Sequence, residues 1–367
     1  MSRPARALVD AQALRDNFKQ VKHYAPAAKV MAVVKANGYG HGLDWVADVL
    51  RDADAFAVAS VEEGVQIRES GLTQPVCLLS GFFDSTEFPE LQRYRLSPVI
   101  HYDVQLRALE QQRLEGPLDV WIKLDTGMHR LGFEPERLPE LLARVRACEG
   151  IGKVAVMSHL ANADDPSDAT TDDQIRRFMT ATTGFELERS LANSAGVIAW
   201  PASRLEWVRP GVMLYGASPL INAEAAGLGL RPVMTLVSTL IAVQRRRKGD
   251  SIGYGGDWVC PEELDIGVVA IGYGDGYPRH APVGTPVLVS GRRVPLVGRV
   301  SMDMLTVDLR QHPEARVGDP VVLWGQGLPV DDVAGLAGTI AYQLLCNVTV
   351  RVPRVETPAE EIQRWQG

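Results

Sequence analysis

Eight short apolar runs, rich in β-branched residues and each followed by a helical pattern, recur through the first two thirds of the chain. They fall at residues 29–35, 55–60, 76–81, 96–100, 118–125, 153–160, 189–194 and 205–209, with clear intervening helices such as 104–112 and 139–148. Parallel strands need long crossovers, and a helix supplies one. Eight such units predict a (β/α)8 barrel over residues 10–230, with its site at the C-terminal ends of the strands. A doubly wound open sheet is the alternative that the count leaves open.

Beyond about residue 231 the rhythm changes to period-2 alternation, starting with Val233-Met-Thr-Leu-Val-Ser-Thr-Leu-Ile. Turn signals follow at Gly249-Asp250, Ser290-Gly291, Gly318-Asp319 and Gly325-Gln-Gly327. This predicts a mostly β second domain over 231–367, with one helix at about 331–346 capped by Asp331 or Asp332. The opening strand, within residues 1–9, ends at Asp10, which can cap a helix over 11–24; that strand is a candidate member of the second domain.

Composition excludes several classes. Apolar residues make up 46% and charged residues 23%, enough to bury a core, and the net charge of −7 comes without a basic block that could track a phosphate backbone. Nucleic acid is therefore not an expected partner. The longest apolar uncharged stretch, 233–243, is too short to span a membrane, and charges at Asp10, Arg15 and Asp16 interrupt any export signal. A cytoplasmic location is expected. Cys77, Cys148, Cys260 and Cys346 lie far apart with no metal-ligand spacing, so no metal is expected and all four read as reduced core cysteines.

Chemistry concentrates first at Lys35. It ends the first run, Val30-Met-Ala-Val-Val-Lys, just before a loop containing Gly38, Gly40 and Gly42. An amine desolvated by that run would have its charged form disfavoured and could form a Schiff base. The glycines would let backbone N–H groups approach an anion.

The segment Val-Val-Lys35-Ala-Asn-Gly-Tyr39-Gly-His-Gly resembles the pyridoxal-phosphate lysine motif of alanine racemases. Eight further motifs of that family follow in order across almost the whole chain. They are Ile122-Lys-Leu-Asp-Thr-Gly-Met-His-Arg130-Leu-Gly, Ser158-His159-Leu-Ala, Ala192-Asn-Ser194-Ala, Val208-Arg209-Pro-Gly211-Val-Met-Leu-Tyr-Gly, Ile252-Gly-Tyr254-Gly, Ile271-Gly-Tyr-Gly-Asp-Gly-Tyr-Pro-Arg279, Gly298-Arg-Val-Ser-Met302-Asp and Ile340-Ala-Tyr342. Gly38 departs from the alanine common there. The family architecture, a barrel followed by a β-rich domain, agrees with the pattern above.

The resemblance implies an isomerase that interconverts L- and D-alanine through an external aldimine of pyridoxal 5'-phosphate. Racemisation needs a base on each face of Cα. Lys35 resembles the cofactor lysine and one base; Tyr254, from the partner subunit, resembles the other, with His159 and Arg209 in its network. Arg209 would face the pyridine nitrogen, where a permanently charged guanidinium cannot accept a proton. Tyr39, Ser194, Tyr342 and the backbone N–H groups of Gly211 and Val212 resemble the phosphate ligands. Arg130 and the Met302 backbone N–H would hold the substrate carboxylate. Lys123 resembles a lysine that many members carry as a carbamate, and Asp275 and Arg279 resemble residues near the substrate entrance.

The family assembles as a homodimer with shared sites, so the same is expected here. D-alanine made this way feeds peptidoglycan precursors, while the reverse reaction feeds catabolism; the motifs do not separate the two. A broad-specificity amino-acid racemase and a non-catalytic cofactor-binding protein remain as alternatives. The motifs of related basic-amino-acid decarboxylases are absent.

Overall fold

The computed structural model describes residues 3–366; the parts of the expected second domain at residues 1, 2 and 367 lie outside the described residues. Eight parallel strands close a barrel: β2 (Lys29–Val33), β3 (Ala55–Val58), β4 (Val76–Leu78), β5 (Leu96–Ile100), β6 (Leu118–Lys123), β7 (Ile151–Met157), β8 (Arg189–Ser190) and β9 (Trp207–Val208). Closure is made where β2 meets β9, through the pairs Lys29↔Trp207 and Val30↔Val208. The open-sheet alternative is thereby excluded. Val30, Ala32, Phe56, Val58, Val76, Leu78 and Ile122 are fully buried, as expected of strands covered on both faces.

The sequence runs extend past most of these strands. Lys35 lies two residues beyond β2, in the loop rather than on the strand, and Asp125, Ser194 and Arg209 likewise follow the last paired residues. Apolar character persists there because the mouth of the barrel is walled by protein, while the backbone has already left the ladder.

Between β1 (Arg6–Val9) and β2 lies α1 (Ala11–Tyr24). The Asp10 carboxylate caps it by accepting from the N–H groups of Gln12 and Ala13 at 2.8 and 3.0 Å. β1 itself pairs antiparallel with β10 (Met234–Arg246) and parallel with β18 (Arg354–Glu356). The remaining strands of this region are β11 (Ser251–Ile252), β12 (Trp258–Val259), β13 (Leu264–Val269), β14 (Pro286–Val289), β15 (Arg292–Val297), β16 (Leu305–Asp308) and β17 (Pro320–Trp324). They form an eight-stranded sheet in the order β13-β16-β15-β14-β17-β10-β1-β18 and a separate β11–β12 hairpin.

The single helix expected at 331–346 is two, Val330–Leu336 and Ala341–Cys346. Gly338, at φ +66°, takes the left-handed conformation that breaks them apart. Neither Asp331 nor Asp332 caps the first helix, whose N-cap is Pro329; Asp331 instead accepts the Ser218 N–H at 3.3 Å. Among the described residues no helix is long and apolar enough to cross a membrane. All four cysteines are free, but only Cys77 and Cys260 are buried; Cys148 is half-buried and Cys346 is exposed.

Candidate active site

Immediately after Lys35 the backbone makes one left-handed turn: Ala36, Asn37, Gly38 and Tyr39 all have φ between +51° and +60°. For a residue with a Cβ this conformation costs roughly 1–2 kcal/mol, so three such residues need outside support. His41 supplies part of it, with Nδ1 within 3.1 Å of the Gly38 oxygen and 3.0 Å of the Tyr39 oxygen. The imidazole is fully buried, and burial pushes its pKa down to about 4, so a neutral ring donates here. Asn37 adds its Oδ1, which accepts the Leu43 N–H at 2.9 Å. The N–H groups of Gly38, Gly40 and Gly42 donate to the backbone oxygens of Val34, Ala36 and Asn37 rather than to an anion, and Gly38 and Gly40 serve close packing. A Cβ on Gly40 would meet the Leu345 oxygen at 2.1 Å, and one on Gly38 would meet Val46.

The turn aims Tyr39 back across the barrel mouth, where it stacks on Tyr215 with ring centroids 4.6 Å apart. A cavity of about 500 Å³ opens beside it, lined by Lys35, Tyr39, Lys123, Arg130, His159, Ser194, Arg209, Gly211, Val212 and Tyr342 among others. Ten of the fourteen residues singled out from the sequence therefore meet in one place. Tyr254 and Met302 do not: in the isolated chain they are 67% and 52% exposed and line no part of this cavity. Asp275, expected near an entrance, is completely buried and lines no part of this cavity, whereas Arg279 is exposed.

The cavity wall contains four cationic side chains, Lys35, Lys123, Arg130 and Arg209, and no carboxylate. Burial lowers the pKa of Lys35, and the nearby Arg130 charge lowers it further. Lys123, 8% exposed, is pushed down to about 8 by burial and then by Arg209, Arg130 and Lys35. His159 falls well below its usual value for the same two reasons, burial first and Arg209 next, and is neutral. Arg209, pulled down to about 10 by burial, still holds its charge at neutral pH. Its guanidinium donates to the Ser190 hydroxyl, to the Ser158 carbonyl and, at 3.4 Å, to the Leu191 carbonyl, with no acid beside it.

Hydroxyl and amide donors complete the wall. Ser194 Oγ accepts the Gly211 N–H at 2.8 Å and the Met213 N–H at 3.4 Å, which leaves its own O–H free to donate into the cavity. The Gly211 N–H, expected as a phosphate donor, is thus committed within the protein. Val212 N–H, the next in line, has no acceptor among the described residues. Burial raises the Tyr39 phenol strongly and that of Tyr342 to about 12, so both stay protonated donors. Asn193, not singled out from the sequence, caps the helix Ser194–Ala199 by accepting the Gly196 N–H at 2.9 Å. Cys346, also missed, lines the cavity; no spacing signal marks either residue.

Barrel, second sheet and a cavity with four cationic side chains and no carboxylate define a barrel enzyme whose cavity suits an anionic ligand. Models of the family described as alanine racemase match residues 9–219 with its N-terminal domain and 233–356 with its C-terminal domain. An alanine racemase of Nitrosococcus oceani is 55% identical over 350 residues, covering 95% of this chain and 98% of the relative. One of Vibrio cholerae is 52% identical over 349 residues, covering 95% and 97%. A crystal structure of biosynthetic alanine racemase from Pseudomonas aeruginosa superposes with a TM-score of 0.95 at 48% identity, covering 97% of this chain and 99% of that one. The chain belongs to the alanine racemase family.

Proposed function

We propose that the chain interconverts L- and D-alanine by a two-base mechanism, in a homodimer whose sites are each built from two subunits and hold pyridoxal 5'-phosphate. The observation that carries this reading is the cavity itself: a desolvated lysine amine among uncompensated cations and hydroxyl donors. That donor set fits a phosphorylated aldehyde. Tyr39, Ser194, Val212 N–H and Tyr342 would hold the phosphate, while Gly211 keeps the cradle open, since a Cβ there would come within 2.4 Å of the Tyr39 hydroxyl. Lys35 would hold the aldehyde carbon, and Arg209 would face the ring nitrogen. When bound, the cofactor supplies an electron sink for the charge left on Cα as its proton departs.

The residues do the rest. Arg130, at the mouth and without a salt-bridge partner among the described residues, binds the substrate carboxylate, with the Met302 N–H of the partner subunit assisting. Lys35, biased toward the free amine by burial, exchanges a proton with one face of Cα, and Tyr254 of the partner subunit does so with the other. His159 and Arg209 form the polar surroundings of that tyrosine. Because Arg209 offers only donors, it would leave the ring nitrogen of a bound cofactor without a proton, and so would favour quick return of the proton to Cα. Lys123 is the residue suited to carbamate formation: its amine nitrogen adds to the carbon of CO2 and releases a proton, giving an anion that pairs with Arg130.

The dimer is supported by where apolar surface lies. Phe83, Tyr102, Val104 and Leu131 are exposed around the barrel mouth, and Tyr254, Tyr273, Met302 and Met304 are exposed on the β-rich part. We assign residues 10–230 to the barrel domain and 231–367, with 1–9, to the other, and place the enzyme in the cytoplasm.

The experiment is proton NMR of L-alanine with cofactor-loaded protein in D2O, coupled to chiral analysis. Loss of the Cα–H signal together with D-alanine supports racemisation; no exchange from a cofactor-loaded protein would overturn it.

A further inference from the structure

We propose that Arg3 is a positioning residue for substrate binding: through the buried Asp275 it fixes the direction of the Met302 N–H. The inference rests on the reading, made above, that this N–H assists the substrate carboxylate.

Asp275 has no exposed surface, yet it is a carboxylate in a turn of the β-rich domain. Its Oδ2 accepts the Gly272 N–H at 3.0 Å and Arg3 Nη2 at 2.7 Å, while Arg351 Nε lies 3.4 Å from Oδ1. Both arginines continue to Asp303, the residue after Met302. Arg3 Nη1 reaches Asp303 Oδ1 at 3.2 Å, and Arg351 Nη2 bonds the same oxygen. The two arginines thus tie the turn at 272–275 to the segment at 301–303. A buried carboxylate deprived of a partner is strongly unfavourable, so the turn has a reason to stay where the arginines are.

That turn in turn grips the critical peptide. Tyr273 N–H donates to the Ser301 oxygen at 3.0 Å, and Gly274 N–H donates to the Met302 oxygen at 2.8 Å. In a trans peptide the N–H points away from the C=O. Holding the Ser301 carbonyl against Tyr273 therefore directs the Met302 N–H to the opposite side, where it has no acceptor among the described residues. The fit leaves no slack. A Cβ on Gly272 would lie 2.2 Å from the Ser301 oxygen, and one on Gly274 would lie 2.4 Å from Arg351 Nη1.

The test compares Arg3→Gln and Arg3→Lys in the cofactor-loaded dimer, with cofactor absorbance and dimer mass confirming that each variant is assembled. Amide exchange by NMR is read at Tyr273 and Gly274, and KM, kcat and inhibition by propionate, a carboxylate without the amine, are measured. We expect Arg3→Gln to lose protection at those two amides. The KM for alanine and the Ki of propionate should rise about tenfold with kcat largely kept, and Arg3→Lys should restore part of each. Unchanged protection, or lost protection with KM and Ki unmoved, overturns the proposal. Met302→Pro, which removes the N–H itself, separates the two ideas: a raised propionate Ki there leaves the carboxylate reading standing, and an unchanged one removes it too.

Discussion

The hydroxyl of Ser194 sits 2.8 Å from the backbone nitrogen of Gly211 and accepts its hydrogen, so a side chain at the end of one barrel unit holds the loop that follows another. Both residues face the same cavity, and the bond is buried.

Ser194→Ala leaves that N–H, and partly that of Met213, without an acceptor, and removes a hydroxyl donor from the cavity. A buried donor left unpaired costs about 1–3 kcal/mol. We expect cofactor affinity to fall by about tenfold or more with the fold retained, measured by fluorescence titration of the cofactor-free protein. Gly211→Ala should be worse, because its Cβ would lie 2.4 Å from the Tyr39 hydroxyl. An unchanged affinity in both would remove the phosphate cradle from this end of the barrel.

Tyr254→Phe should be directional. Exchange of the Cα proton starting from D-alanine should persist, and exchange from L-alanine should collapse by at least about a hundredfold. Lys35→Ala should abolish turnover in both directions along with the absorbance of lysine-bound cofactor. Mixed dimers of the two variants contain one site with both residues intact. Random co-assembly should therefore recover roughly a quarter of the activity of the unmodified protein, and no recovery would argue that each site lies within one chain.

Arg209→Glu places an acceptor where only donors now stand. It should let the ring nitrogen hold a proton, lengthen the life of the deprotonated substrate and raise the yield of pyruvate by transamination. Product analysis by mass spectrometry decides; an unaltered product ratio would discredit the part given to the guanidinium.

Lys123 carries a pH signature in the cofactor-free protein kept without CO2. Its pKa of about 8 in the fold lies below the ordinary lysine value of 10.5, so between these the unfolded chain binds more protons. Stability should therefore rise as pH increases through that window, by at most about 3 kcal/mol, and the full cost should persist below pH 8. Denaturant titration of the protein and of Lys123→Met should show the rise only in the former. Added bicarbonate labelled with 13C should give a carbamate signal that Lys123→Met lacks.

Strand count and order were legible because buried parallel strands demand β-branched runs such as Val30-Met-Ala-Val-Val, whichever loops follow. The ends were not legible, since Lys35 and Arg209 continue apolar stretches while their backbone has already turned away. Nor was the left-handed turn. Only Gly38 hints at positive φ, and Ala36, Asn37 and Tyr39 adopt it because His41 and the Ile340–Cys346 segment, remote in sequence, hold them there. The break at Gly338 lay inside a plausible helical period. Residue roles came from motif resemblance, because neither spacing nor burial distinguishes Tyr254, open to solvent in one chain, from any exposed tyrosine.

The pairing of β1 between β10 and β18 sets an order on how the molecule is made. Arg6 waits for Val237 as its partner, so a nascent chain must emit all eight barrel strands before the first ladder of the large sheet can form. The barrel, complete by β9, can close during synthesis, whereas the sheet stitches both ends of the polypeptide together afterwards. A ribosome stalled short of β10 would therefore carry a closed barrel whose cradle still lacks Tyr342, and an orphan strand.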